Sequence, residues 1–212
     1  MAIDFKKTQK ELYQPGEKPS VIDVPEMVFI MVDGRGDPNT SKAYQEAVEV
    51  LYGLSYAIKM SKMGGKQPAG YYDFVVPPLE GFWSTDTGDF EIGITDKNEF
   101  RWTSLIRVPE FVTPEAYESI KITLAKKKPN LNLAIARLES FSEGLCAQVM
   151  HTGPYDNEPA TILALKTFVA DSGYKLDLSD KRKHHELYLG DPRKTSPDKL
   201  KTIIRYPIAN RE

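Results

Sequence analysis

His184-His185-Glu186-Leu187-Tyr188-Leu189-Gly190-Asp191-Pro192 reads as a short strand that runs into a Gly-Asp-Pro turn. Side chains alternate along a strand, so His184, Glu186 and Tyr188 share one face, and His185, Leu187 and Leu189 the other. The leucine face suits packing against helices. The opposite face sets a carboxylate between an imidazole and a phenol, which is costly to bury without a purpose. Spacing alone leaves two readings open. The polar face lies in water, as in a one-sided antiparallel sheet, or it lines a cleft.

The surrounding pattern bears on that choice. Residues 28–32 form an apolar run that reads as a buried strand and ends at Asp33-Gly34-Arg35-Gly36-Asp37-Pro38. Asn39, Thr40 and Ser41 then offer capping oxygens. Tyr44, Ala47, Val48, Leu51, Leu54, Ser55 and Ile58 recur at helical spacing, with a stop expected before Gly64-Gly65. Tyr71-Tyr72-Asp73-Phe74-Val75-Val76 reads as a strand ended by Pro77-Pro78, and residues 79–88 as a loop. Residues 100–108 read as a long strand. Thr113-Pro114 opens a helix with Tyr117, Ile120 and Leu124 inward.

The second half repeats this order. Residues 145–151 read as a strand, Thr152-Gly153-Pro154-Tyr155-Asp156 as a turn, and a helix follows from about Glu158. The opening strand comes next, and residues 202–207 form another. Gly-x-x-Asp occurs at 34–37 and at 153–156, each time just before a helix. This is the mark of a duplicated unit. The expected fold is α+β: two βαββ units joined into one antiparallel sheet, with helices on one face and a central ligand cleft at the seam. The expected boundaries are an extended lead-in at 1–25, a first unit at 26–110, a connecting helical segment at 111–136 and a second unit at 137–212, all in a single domain. Asp73 and Glu186 would face the cleft from matching positions. The solvated reading of the opening strand loses ground accordingly.

Composition excludes several classes. Hydrophobic residues are 41% and charged residues 27%, an ordinary globular balance, and a net charge of −2 gives no bulk attraction to nucleic acid or to an anionic membrane. Cys146 is the single cysteine, so there is no internal disulfide or multi-thiolate metal site. It sits in an apolar run and reads as a buried structural thiol. No apolar run approaches the roughly 20 residues that span a bilayer, and the first residues lack a signal core. A cytoplasmic protein is expected.

Chemistry-bearing motifs are equally restricted. His185-Glu186 lacks the second histidine of a zinc protease helix. His184-x-Glu186 lacks the Cys-x-x-Cys pair of a deaminase. Gly34-Arg35-Gly36 lacks the third glycine and parallel setting of a dinucleotide loop. No metal site and no cofactor is expected. What remains is aromatic: Trp102 on its strand, Phe82 and Trp83 in a polar loop, and Tyr71, Tyr155 and Tyr188 near the seam. For Trp102 and Phe82, core and cleft readings are balanced, whereas Trp83 either tucks into the domain or folds over a ligand as a lid, with the lid the favoured reading. Aromatic walls around one carboxylate suit a flat, apolar, small molecule, including a cationic one.

The His-His-Glu-Leu-Tyr-Leu-Gly-Asp-Pro-Arg-Lys stretch, the Met150-to-Asp156 turn, and Phe100-Arg101-Trp102 before Pro109 together resemble the GyrI-like small-molecule-binding domains. These are similar to the effector-binding domains of multidrug-responsive regulators, and the resemblance spans roughly residues 20–208. It implies two βαββ units around a cleft, with Glu186 at the position of the regulators' cleft glutamate. Stand-alone members include hydrolases of cyclopropanoid DNA-alkylating natural products, an activity that confers toxin resistance. The resemblance then implies that Glu186 takes a proton from an attacking water and that Tyr155 donates a hydrogen bond to a dienone oxygen. Trp83, Trp102, Tyr188, Phe82, Tyr71, Asp73 and His184 would contact the ligand. The alternative is a non-catalytic binding protein that sequesters or senses amphipathic aromatic ligands. A sensor of this length would need a separate DNA-binding partner protein, because direct nucleic-acid and membrane binding are not expected.

Overall fold

The computed structural model describes residues 2–65, 67–85 and 96–211. Residues 86–88 of the expected loop lie outside them. Two short helices, α1 (Phe5–Thr8) and α2 (Lys10–Tyr13), open the chain. The first unit is β1 (Ser20–Arg35), α3 (Lys42–Met60), β2 (Leu79–Thr85) and β3 (Phe100–Val108). Helix α4 (Pro114–Lys127) connects it to the second, which is β4 (Ala136–Thr152), α5 (Glu158–Asp171), β5 (Tyr174–Leu176), β6 (His184–Tyr188) and β7 (Lys201–Asn210). The fold is α+β; the first unit has the order βαββ, and the second has it with the short strand β5 added before β6.

All the strand pairings are antiparallel, in the order β4-β1-β3-β2-β6-β7-β5, and β4 also pairs with β7. That last pairing closes six of the strands into a barrel and leaves β5 on its edge. Closure gives the sheet an inside and an outside. Phe29, Met31, Phe82, Leu105, Met150, Leu187 and Ile203 point in. Ile30, Val32, Trp83, Trp102 and Ile106 point out, under α3 and α4, and Val149, Ile204, Tyr206 and Ile208 point out under α5.

The helices form where the sequence places them. The Ser41 hydroxyl caps α3 by accepting from the Tyr44 amide, worth about 1 kcal/mol. Ala47, Val50, Leu51, Leu54 and Ile58 bury its inner stripe completely. Thr113 caps α4 in the same way, with Pro114 following.

Four expectations change. The lead-in is not simply extended: α1 and α2 insert Phe5, Leu12 and Tyr13 into the barrel core, because a closed sheet of this size must fill its interior. Residues 71–76 are not a strand, and within them only Phe74 makes an isolated bridge, to Ile3. The strand after α3 is β2, in the stretch expected as a loop. Gly81 and Ser84 suggested a turn, but a Cβ at Gly81 would come within 2.6 Å of Trp83 Nε1, so glycine makes room for that indole along the strand. Finally, the leucine face of β6 is the barrel interior, and the helices cover the Glu186 face instead.

Candidate active site

Strand register assembles the site on the outer face. Residues directly opposed in antiparallel strands share a face. Trp83 opposes His184, Gly81 opposes Glu186 and Leu79 opposes Tyr188 across β2 and β6. Trp83 also opposes Trp102, and Trp102 opposes Gly34. The row Gly34, Trp102, Trp83, His184 therefore runs across four strands. A Cβ at Gly34 would lie 2.1 Å from Trp102 Cη2, so the indole occupies the space that a side chain there would need.

Glu186 is held at both oxygens. His184 Nε2 lies 2.7 Å from Oε1, where the ring nitrogen donates. The Tyr188 hydroxyl donates to Oε2 at 2.6 Å and accepts from Trp83 Nε1 at 2.9 Å. Burial and the Glu186 charge push the Tyr188 phenol well above its ordinary pKa, so it stays a donor. Tyr44, from the first turn of α3, stands edge-on to Trp102 with ring centres 5.0 Å apart, and 6.2 Å from Trp83. Tyr155 packs edge-on against Tyr188 at 5.9 Å and is 37% exposed, which places it at the rim.

The second unit contributes Glu158, at the start of α5. Gly153 takes φ of 137°, a conformation suited to glycine, and its amide donates to Leu200. His151 Nε2 donates to the Pro154 carbonyl at 3.1 Å, leaving Nδ1 to accept from the Thr161 hydroxyl at 2.8 Å. These contacts tie the turn to the helix and turn Glu158 inward, where it is 7% exposed. Burial first, and then the Glu186 charge, raises its carboxyl well above the ordinary range. The helix N-terminus favours the anion by about 0.3–1 kcal/mol, too little to offset burial beside a second carboxylate.

The predicted residues separate into three groups. Glu186, His184, Tyr188, Trp83, Trp102 and Tyr155 come together. Phe82 does not: it faces the barrel interior, 4.4 Å from the His185 ring and 5.1 Å from Phe141. Alternation along β2 puts it opposite Trp83. Tyr71 and Asp73 also stand apart. The Tyr71 hydroxyl donates to the Lys59 carbonyl at 2.7 Å, and Asp73 pairs with Lys59 at 3.2 Å and Lys62 at 2.8 Å. Lys59 lies in the last turn of α3, roughly 22 Å along the helix from Tyr44 at 1.5 Å per residue, and Lys62 lies just beyond that helix. With residues 71–76 irregular, the symmetry placing Asp73 opposite Glu186 is lost. Trp83 is a buried strand residue rather than a loop lid.

Sequence reasoning missed Tyr44, Glu158 and a buried charge cluster inside the barrel. His185 sits there with Nδ1 3.0 Å from Glu143 and Nε2 3.0 Å from Glu80. A ring that donates from both nitrogens is an imidazolium. Burial opposes this charge, but Glu143 and Glu80 outweigh it and raise the pKa to about 9. Arg205 completes the cluster, 3.8 Å from Glu143 and donating at 3.0 Å to Gln148 Oε1, and it also donates to the Leu12 backbone carbonyl of the plug. Glu80 lies two residues from Phe82 on β2 and so on the same inward face, which was the available signal.

Among the described residues, no group of three or more His, Cys, Asp or Glu could hold a metal ion, and no helix is long and apolar enough to cross a membrane. A separate groove of about 590 Å³ between α3 and α4, lined by Tyr52, Tyr56, Met60 and Met63 among others, contains none of the predicted site residues.

The model of the GyrI-like small molecule binding domain matches residues 17–209. A hydrolase from Listeria innocua of known crystal structure is 47% identical, with a TM-score of 0.89 over 98% of this chain and all of that one. An uncharacterized conserved protein from Listeria innocua is 48% identical, with a TM-score of 0.92 over the same shares. The EcmrR C-terminal domain, 15% identical with a TM-score of 0.55, covers 92% of this chain and 98% of its own, and shares the fold. No curated protein matches the chain.

Proposed function

This chain belongs to the GyrI-like small-molecule-binding family, and from that premise we propose that it is a hydrolase opening the strained ring of flat cyclopropanoid alkylators. The observation that carries this reading is the carboxylate of Glu186, oriented at both oxygens by His184 and Tyr188 beneath aromatic walls. A general base must be aimed as well as basic, and these two donors fix the direction of its lone pairs. Trp83, Trp102 and Tyr44 offer ring faces and edges to a planar body, and Tyr155 at the rim donates a hydrogen bond to a dienone oxygen. The 47% identity to a protein described as a hydrolase supports catalysis over binding alone.

In this mechanism Glu186 removes a proton from water as the water oxygen attacks the cyclopropyl CH2. Ring strain supplies much of the driving force, so no organic cofactor is needed. The test is to mix the protein with a cyclopropanoid alkylator and follow ultraviolet absorbance and product mass over many equivalents. Catalytic formation of the water-added product is expected. A stoichiometric complex holding unchanged ligand overturns the hydrolase reading, and leaves a binding protein that sequesters or senses such ligands.

A further inference from the structure

We propose that Glu158, in its acid form, is the proton donor of the cleft and works with Glu186 as an acid–base pair. The inference rests on the hydrolase reading for the step it serves, but the location of the proton can be tested without turnover.

Glu158 enters from the second unit at the start of α5, beside Thr202 of β7. Its side chain is buried beside the buried Thr202 hydroxyl, whose hydrogen bond favours the anion but is outweighed by burial and by the Glu186 charge. Thr202 opposes Tyr188 on the adjacent strand, so both side chains belong to the surroundings of Glu186. The titratable groups that face Glu158 are Glu186 and Tyr188 on β6 and Tyr155 and Asp156 in the preceding turn, with Tyr44 across the cleft facing Glu186. His184 also faces Glu186, 2.7 Å from its Oε1, and Lys97 pairs with Asp156 at 3.7 Å, but none of the charges acting on Glu158 itself is a cation. Two carboxylates brought together in a buried site favour keeping a proton on one of them. Glu186 accepts from His184 at one oxygen and from Tyr188 at the other, whereas Glu158 Oε1 is not bonded in this way, and we therefore place the proton on Glu158.

Ring opening needs such a proton. Water attacks the cyclopropyl carbon, the C–C bond to the dienone ring breaks, and its electron pair moves through the ring to the oxygen. That oxygen becomes a phenol on gaining a proton, while Glu186 holds the proton lost by water. Tyr155 is poorly suited to deliver it. Burial, together with the Glu158 and Glu186 charges, pushes its phenol up to about 12, above the pKa of about 10 of an ordinary phenol. It can donate a hydrogen bond, but transfer runs uphill. A carboxylic acid transfers downhill. Return of the proton from Glu186 to Glu158 after product release restores the pair, and the sum is one water added.

Two measurements test the pair. In the pH dependence of kcat for water addition, Glu158→Gln should lower kcat by about 10²–10⁴-fold, leave ligand affinity within a few fold, and remove the alkaline limb. Tyr155→Phe should keep that limb. Wild-type kcat in Glu158→Gln, or an alkaline limb that persists in it, overturns the proposal. Infrared difference spectroscopy of the ligand-free protein at neutral pH should show a protonated carboxyl band that Glu158→Gln abolishes and Glu186→Gln does not. A band that survives Glu158→Gln overturns the proposal. Failure of the wild type to add water, with the band behaving as expected, would overturn the hydrolase reading while upholding the proton on Glu158.

Discussion

The Tyr188 hydroxyl donates to Glu186 Oε2 at 2.6 Å from two residues further along the same strand. Neighbours at this spacing point to the same side, so the strand itself sets carboxylate and donor together. Trp83 Nε1 donates to the same hydroxyl from the adjacent strand and prevents its rotation. Tyr188→Phe removes the donor to Glu186 and strands the indole N–H. A hydrogen bond to a charged group is worth about 1.5–3 kcal/mol, so kcat should fall roughly 10–100-fold with the fold intact. Steady-state kinetics beside a thermal melt decide it, and an unchanged kcat would remove Tyr188 from the aiming role.

The barrel interior predicts a different kind of loss. His185→Leu removes the cation between Glu80 and Glu143, both buried. Breaking a buried pair from one side costs about 3–5 kcal/mol, because a charge remains uncompensated. Urea unfolding should show a loss of that order. A loss below about 1 kcal/mol would mean that the cluster is hydrated or rearranges.

The same histidine gives a pH dependence of stability with a definite sign. Its folded pKa of about 9 lies above the unfolded value near 6.5, so its contribution is fully present below about pH 6.5 and is lost as pH rises through about 9. The histidine's share of the decline should be on the order of 3 kcal/mol across that window; His185→Leu should lose that share and keep the fall that the late-titrating Glu158 carboxyl contributes. A flat wild-type profile between pH 6.5 and 9 contradicts the imidazolium assignment.

Leu12 tests the plug. It is 3% exposed inside the barrel, and its carbonyl accepts from Arg205. Leu12→Ala should destabilise by about 2–5 kcal/mol, as for other buried leucines. A change within 0.5 kcal/mol, roughly that of a surface site, would show the plug to be dispensable.

Much of this was legible in residues 184–192. The period of two separated Glu186 from Leu187, and the repeated order of elements identified two units. The apolar stripe from Tyr44 to Ile58 gave α3 almost to its ends. What the pattern could not say is which face of a sheet becomes the inside of a barrel, since closure depends on a β4–β7 pairing remote in sequence. The leucine face therefore became the interior and the helices went to the Glu186 face. Trp83 was read as a loop residue because Gly81 and Ser84 resemble turn formers, while the reason for Gly81 is a ring contact visible only in three dimensions. Tyr44 looked like one more helix-stripe residue, and Glu158 like a helix-start acid. Neither position carries a sequence sign of the cleft.

The central claim is that Glu186 activates water, and product formation in water enriched in oxygen-18 tests it most directly. Wild-type protein should release a cyclopropanoid-derived product carrying one labelled oxygen per ring opened. Glu186→Gln should bind the same ligand with affinity within a few fold and form product at least about 100-fold more slowly, the lower end of general-base contributions. Labelled product at the wild-type rate from Glu186→Gln would contradict the account.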